Sequence, residues 1–152
     1  MEKMNVSQTI LIIEDSDDDY EAAKSALQDG KNFRNPLVRC ETGQQGLDYL
    51  QGVGKYALPN RPPRPGLILL DLNLPGIDGR EVLKILKEDK ELRSIPVVVM
   101  TTSADERDID DCYRIGANTY ICKPLDWDSF FAAMARLKEY WFEIAVLPPV
   151  SK

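Results

Sequence analysis

The stretch Leu67-Ile68-Leu69-Leu70-Asp71-Leu72-Asn73-Leu74-Pro75 decides how this chain folds. A short unbroken apolar run in mid-sequence reads as a strand covered on both faces. The carboxylate at its end must then meet water, a metal or a counter-charge, because a buried unpaired anion is strongly disfavoured. The layout recurs three times. Ile10-Leu11-Ile12-Ile13 runs into Glu14-Asp15, Val97-Val98-Val99-Met100 into Thr101-Thr102-Ser103, and Tyr120-Ile121-Cys122 into Lys123-Pro124. Four strands thus deliver polar groups at their carboxyl ends, where open parallel sheets bind ligands. Three acids, a hydroxyl and a lysine converge in this reading on one metal-plus-phosphate site.

Helical patterns separate these runs. Ser16 is a natural N-cap, with Asp17, Asp18 and Asp19 in the first turn, where the helix dipole favours negative charge. Those three acids read as a solvated first turn. Tyr20, Ala23 and Leu27 form the inward stripe, and Gly30 ends the helix. A short strand near Leu37–Cys40 and a helix from about Gly43 to Gln51 follow. The segment from Gly52 to Gly66, rich in proline, is expected to be neither helix nor central strand, and its length marks it as functional or mobile. Val82, Ile85 and Leu86 give a third helix, and Ile109, Cys112 and Tyr113 a fourth that closes at Gly116. The last helix starts near Asp126 and extends toward Phe142, with Pro148-Pro149 in a non-helical tail. Repeated strand–helix units imply an α/β fold, a parallel sheet with helices on both faces and right-handed crossovers.

The 152 residues suit one domain with a full core. Net charge is −6 without a basic patch, which argues against direct DNA or RNA binding. No apolar run approaches the roughly 20 residues needed to cross a bilayer, and no signal-peptide pattern is visible. A cytoplasmic protein without membrane contact is expected. Cys40, Cys112 and Cys122 lack C-x-x-C spacing. Cys40 and Cys122 lie in strands, so burial as small hydrophobes is preferred over redox chemistry. The chain contains no histidine, which removes His-ligated metals, Ser-His or Cys-His catalysis and a phosphohistidine carrier role. Any phosphoryl group is therefore received on oxygen.

Clustered carboxylates at Glu14, Asp15 and Asp71 repel, and a hard divalent cation relieves that repulsion. Mg2+ suits a few carboxylates plus phosphate better than Ca2+ does, and Mn2+ is the alternative. Asp71 is the candidate nucleophile, forming an aspartyl-phosphate. Phosphoryl transfer then needs in-line positioning and charge neutralisation. Lys123 supplies a cation and Thr101 a hydroxyl.

Glu14-Asp15, Asp71-x-Asn73-x-Pro75-x-x-Asp78-Gly79, Thr101, Tyr120 and Lys123-Pro124 resemble the receiver domain of two-component response regulators. The similarity covers residues 8–138, leaving 1–7 as an N-terminal extension and 139–152 as an extension of the last helix plus tail. This resemblance implies the flavodoxin-like (βα)5 doubly wound sheet of strand order 2-1-3-4-5. It implies that Asp71 accepts phosphate from a partner's phosphohistidine. Metal would be held by Glu14 through water, Asp15, Asp71 and the Asn73 backbone carbonyl. A cis Lys123–Pro124 bond would aim the lysine, and Thr101 and Tyr120 would act as the switch. Gly52, Gly54, Tyr56, Arg64-Pro65, Glu139-Tyr140-Trp141 and Leu147-Pro148 are additions to the general pattern. With the Asp71 and Asp78 segments, they look like the small stand-alone regulators that serve cyanobacterial phytochrome histidine kinases.

On the last helix, Phe130, Met134, Leu137 and Trp141 form one stripe, with Trp127, Phe131 and Phe142 beside it. Together they span about 140°, wider than one core-facing helix needs. A homodimer through Trp127, Phe131, Trp141, Phe142 and the tail is expected, the alternative being a tail folded over its own domain. Among functional rivals, a haloacid-dehalogenase-like phosphatase needs a second acid two residues after the nucleophile, where this chain has Asn73. A flavodoxin would need a hydroxyl-rich phosphate loop after the first strand, in place of Glu14 and a run of Asp. A docking domain that never takes phosphate is the third rival, and the intact set of site residues argues against it.

Overall fold

The computed structural model describes residues 8–29 and 33–149. Gly30, the expected end of the first helix, and the whole N-terminal extension, 1–7, fall outside them. The elements alternate as the apolar runs dictate: β1 (Ile10–Ile13), α1 (Asp17–Gln28), β2 (Leu37–Cys40), α2 (Gly43–Gln51), β3 (Leu67–Leu70), α3 (Gly79–Glu88), β4 (Val97–Thr101), α4 (Glu106–Ile115), β5 (Thr119–Cys122) and α5 (Trp127–Glu139). The strands form one parallel sheet in the order β2-β1-β3-β4-β5. This is the flavodoxin-like (βα)5 arrangement expected from the sequence.

Each central strand splits its side chains between two cores, because alternate residues point to opposite faces. Leu11, Ile13, Ile68, Leu70, Val97 and Val99 pack with Leu47, Leu50, Val82, Leu83 and Leu86 from α2 and α3. Ile10, Ile12, Leu67, Leu69, Val98 and Met100 pack with Ala22, Ala23, Ala26 and Leu27 of α1 and Phe130, Met134 and Leu137 of α5. Burying an Ile, Leu or Val side chain contributes about 1.5–3 kcal/mol. Side-chain oxygens cap the five helices, Ser16, Thr42, Asp78, Asp105 and Asp126 each accepting a first-turn N–H. The fourth helix buries less than its pattern suggests: Cys112 is enclosed, but Tyr113 is half exposed.

Two segments depart from expectation. The Gly52–Gly66 connection contains a 3-10 turn, Gly54–Tyr56, where no helix was expected. Tyr56 packs edge-on against Tyr49 at 5.1 Å, and the Tyr49 hydroxyl donates to the Pro63 carbonyl at 3.4 Å, so aromatic contacts pin the loop to α2. Beyond α5, a π-helical turn, Tyr140–Ile144, redirects the chain. Phe142 is thereby buried edge-on against Phe33 with ring centroids 6.0 Å apart, and Leu147 is enclosed as well. Phe142, expected at a subunit interface, belongs instead to the core beneath α1 and α5. The tail folds over its own domain. Trp141 is partly buried with it, whereas Trp127, at the first position of α5, is 54% exposed.

Candidate functional site

The sheet's hydrogen-bond ladder continues past the strand ends and fixes the backbone of the polar residues. The Glu14 N–H donates to the Cys40 carbonyl at 3.0 Å, the Asp71 N–H to Ile13 at 3.1 Å and the Lys123 N–H to Thr101 at 2.7 Å. Glu14, Asp71, Thr101 and Lys123 are all buried. Gly79 starts α3 directly against the acceptor strand: its N–H donates to the Leu72 carbonyl at 2.9 Å, and a Cβ there would overlap the Asp71 carbonyl oxygen.

Carboxylate oxygens of Glu14, Asp15 and Asp71 lie within 4.8 Å of one another. Asp15 is exposed while the other two are enclosed, so the cluster opens to solvent on one side. Lys123 closes the other side. Its Nζ donates to Glu14 Oε1 at 2.5 Å, Asp19 Oδ2 at 2.9 Å and Asp71 Oδ2 at 3.3 Å. Burial, with help from neighbouring Asp71, pushes the Glu14 carboxyl up to about 7 against the pull of Lys123. Burial opposes the Lys123 charge, but the bonds to Glu14 and Asp19 and the charges of Glu14 and Asp71 outweigh it and hold the ammonium protonated. Three carboxylates therefore share one lysine, and Asp15 adds a fourth negative charge beside them. An all-oxygen donor set with this excess of negative charge suits a hard divalent cation, which supplies the missing positive charge.

The remaining expected residues gather around this cluster. The Asn73 N–H donates to Asp71 Oδ1 at 3.1 Å and its side-chain amide to Thr101 Oγ1 at 3.3 Å. The Ser103 N–H reaches the same Thr101 hydroxyl at 3.4 Å. Tyr120 is partly buried, and its hydroxyl donates to the Ser103 carbonyl at 2.9 Å. Two expectations are corrected. The cis peptide among the described residues is Leu58–Pro59, and Lys123–Pro124 is trans; the ladder bond from the Lys123 N–H to Thr101 sets the lysine's direction without it. Cys122 is exposed, because β5 is the edge strand and that end of it is left uncovered; Cys40 and Cys112 are buried.

Two participants were not singled out from the sequence. Asp19 was assigned to a solvated first turn, yet it binds Lys123. No pattern in the sequence separates that pairing from a helix start, because Asp19 lies in the first turn of α1, where the dipole alone accounts for an acid. Arg39, paired across the sheet with Ile12, donates from Nε to the Glu14 carbonyl at 3.1 Å and bonds Asp17 at 2.7 Å. Its guanidinium lies 4.8 Å from the Tyr20 ring centroid. A cation thus sits on each side of the acidic β1–α1 turn.

Residues 10–135 match the response regulator receiver domain. The chain is a member of that family. It is 36% identical over 147 residues to response regulator Rcp1 of Synechocystis sp. (strain PCC 6803), with 97% of each chain covered. The crystal structure of the phosphorylated cyanobacterial phytochrome response regulator RcpA is similar at a TM-score of 0.87 and 38% identity, covering 93% of this chain and 99% of that one. The Mn2+-bound form of Rcp1 gives a TM-score of 0.87 at 37% identity, covering 93% and 99%. The receiver domain is a signalling module, and this chain's relatives include phytochrome response regulators. No helix among the described residues is long and apolar enough to cross a membrane.

Proposed function

We propose that this receiver accepts a phosphoryl group on Asp71 from the phosphohistidine of a sensor histidine kinase, of the phytochrome class. The observation that carries the reading is the lysine with three carboxylates on its Nζ, one of them the strand-end Asp71. The P–N bond of the donor breaks as a P–O bond forms to an Asp71 carboxylate oxygen, and the electron pair leaves with the imidazole. Mg2+, or Mn2+ in its place, would be held by Glu14, Asp15, Asp71 and the Asn73 carbonyl. When bound, it neutralises phosphoryl oxygens. Lys123 donates to another phosphoryl oxygen and Thr101 offers its hydroxyl. The phytochrome partner is supported by the likeness to RcpA and Rcp1 across nearly the whole chain.

Phosphorylation adds about −1.5 to −2 charge, which acts as a switch only through an element with two arrangements. Thr101 and Tyr120 fit that role, because both hold the loop after β4 through Ser103. Ser103 in turn donates to Asp108 of α4 at 2.7 Å, and Arg80 clasps the same carboxylate at 2.7 Å. Movement at Thr101 therefore reaches the α4-β5-α5 surface. A homodimer through α5 uses Trp127 and Phe131, with Trp141 at the margin. Sedimentation of the intact chain against one truncated after Lys138 reads it, and two monomers at micromolar concentration end that part. The phosphatase rival gains nothing from the geometry, since Asn73 is an amide committed to Thr101.

Incubation with Mg2+ and acetyl phosphate or beryllofluoride tests the main reading. One labile acyl-phosphate is expected, abolished by Asp71→Asn and strongly weakened by Lys123→Ala. Labelling that persists in the Asp71→Asn protein would identify another nucleophile and refute it.

A further inference from the structure

An ammonium has three N–H donors, and in this structure three carboxylates accept from Lys123. The longest of the bonds, 3.3 Å, goes to Asp71, and two shorter ones pull toward Glu14 and Asp19. A phosphoryl oxygen arriving at Asp71 must compete for a donor that is already engaged. The three acids differ in what they lose when the lysine leaves. Side chains of Glu14 and Asp71 are 7% and 8% exposed, so departure strands a buried anion at either one. Asp19 is 41% exposed, and water replaces the lysine there with little penalty. Asp19 is therefore the partner that yields. It is outside the trio of acids placed for a metal, yet it lines, with Glu14, Asp71, Ala23 and Met100, a cavity of about 10 Å³ beside the acceptor, room for about one water.

We propose that Asp19 is a positioning residue that draws Lys123 away from Asp71 in the unphosphorylated protein and so slows phosphorylation, a reading that rests on Asp71 being the acceptor. In the reaction, the P–O bond to the departing acetate breaks as the bond to the Asp71 oxygen forms. Lys123 keeps its protons throughout and exchanges one acceptor, the Asp19 carboxylate, for a phosphoryl oxygen. Asp19 contributes to α1 through its backbone, whose N–H donates to Ser16 Oγ at 3.2 Å, and any side chain leaves that cap in place.

The test measures phosphorylation by acetyl phosphate at saturating Mg2+ in the intact chain. Asp19→Ala is expected to react about fivefold faster than the native protein, the effect of one partly exposed ion pair. Asp19→Glu, which restores the pair, stays within about twofold of the native rate. The same Asp19→Ala change in a Lys123→Ala background gives no acceleration, because the effect acts through the lysine. An unchanged rate in Asp19→Ala overturns the proposal, and so does an acceleration that survives without Lys123, which would mean plain charge repulsion. Failure of the native protein to take up phosphate at all would instead remove the function on which the proposal stands.

Discussion

Asp71→Asn is expected to stabilise the metal-free fold while abolishing phosphorylation. At an effective dielectric constant of about 20, two unit charges roughly 4.8 Å apart repel by roughly 3.5 kcal/mol, which sets the scale for Asp71 against Glu14. Asp15 is exposed, and solvent screening leaves its share at about 1 kcal/mol. Lys123 at 3.3 Å attracts Asp71 by roughly 5 kcal/mol on the same arithmetic, so the Coulomb terms nearly cancel. Desolvation then decides. Enclosing a charged carboxylate that is 8% exposed is unfavourable by several kcal/mol, and asparagine avoids it while still accepting from the Asn73 N–H. The net expectation is a gain of about 2 kcal/mol, or a rise in Tm of roughly 4–8 °C. Thermal unfolding in EDTA at pH 8 is the assay, because Glu14, with its pKa near 7, is then ionised and its repulsion fully present. As pH falls through 7, Glu14 takes up a proton, the repulsion disappears and the advantage of the variant shrinks. Adding Mg2+ at about 100 times its Kd stabilises the native protein by about 2.7 kcal/mol and closes the gap. A variant no more stable than the native chain at pH 8 in EDTA would refute the view that Asp71 is held against its own electrostatic preference.

Two further substitutions test how the fold positions the site and the tail. Gly79→Ala forces a methyl group onto the backbone of Asp71 and Leu72, which has no side-chain freedom with which to yield; a loss of about 1–3 kcal/mol in urea unfolding and slower phosphorylation are expected, and a loss below about 0.5 kcal/mol would show that α3 does not bear on the acceptor strand. Phe142→Ala removes a ring that is 9% exposed and packed on Phe33, at an expected loss of about 3 kcal/mol, and a Tm within about 2 °C of the native value would mean that the tail does not cover its own domain.

The fold and the gathering of polar groups at its rim were legible in the sequence for one reason. Placing Glu14, Asp71 or Lys123 at the end of a buried strand is so unfavourable without a partner that position alone points to one. The apolar runs of β1 and β3 are buried along their full length, as strands flanked on both sides must be. Weaker free-energy differences left weaker traces. Asp19 has a sufficient local explanation in the dipole of α1, and one pattern cannot separate that from an ion pair with a residue 104 positions away. Cys122 belongs to an apolar triplet like those of the inner strands, but strand order, not composition, decides that β5 lies at the edge.

Phe142 shows how a small change in helical geometry overrides a correct period. At 100° per residue, Phe130, Met134 and Leu137 face inward and Trp141 should follow them. The first three are buried as that spacing requires. After Glu139 the chain changes to i→i+5 bonding, with the Ala145 N–H donating to the Tyr140 carbonyl at 2.6 Å. The wider turn holds more residues per revolution, so the inward direction passes from Trp141 to Phe142, one position later. Phe142 then meets Phe33, Leu147 follows it into the core, and Trp141 remains only partly covered. The aromatic excess that suggested a broad interface thus divides in two: Phe142 closes the protein's own core, and Trp127 stays exposed at the start of α5. A dimer contact through α5 would accordingly draw on Trp127 and Phe131, and exchanging Trp127 for a charged residue would weaken it without opening the core that Phe142 seals, against which Phe131 also packs.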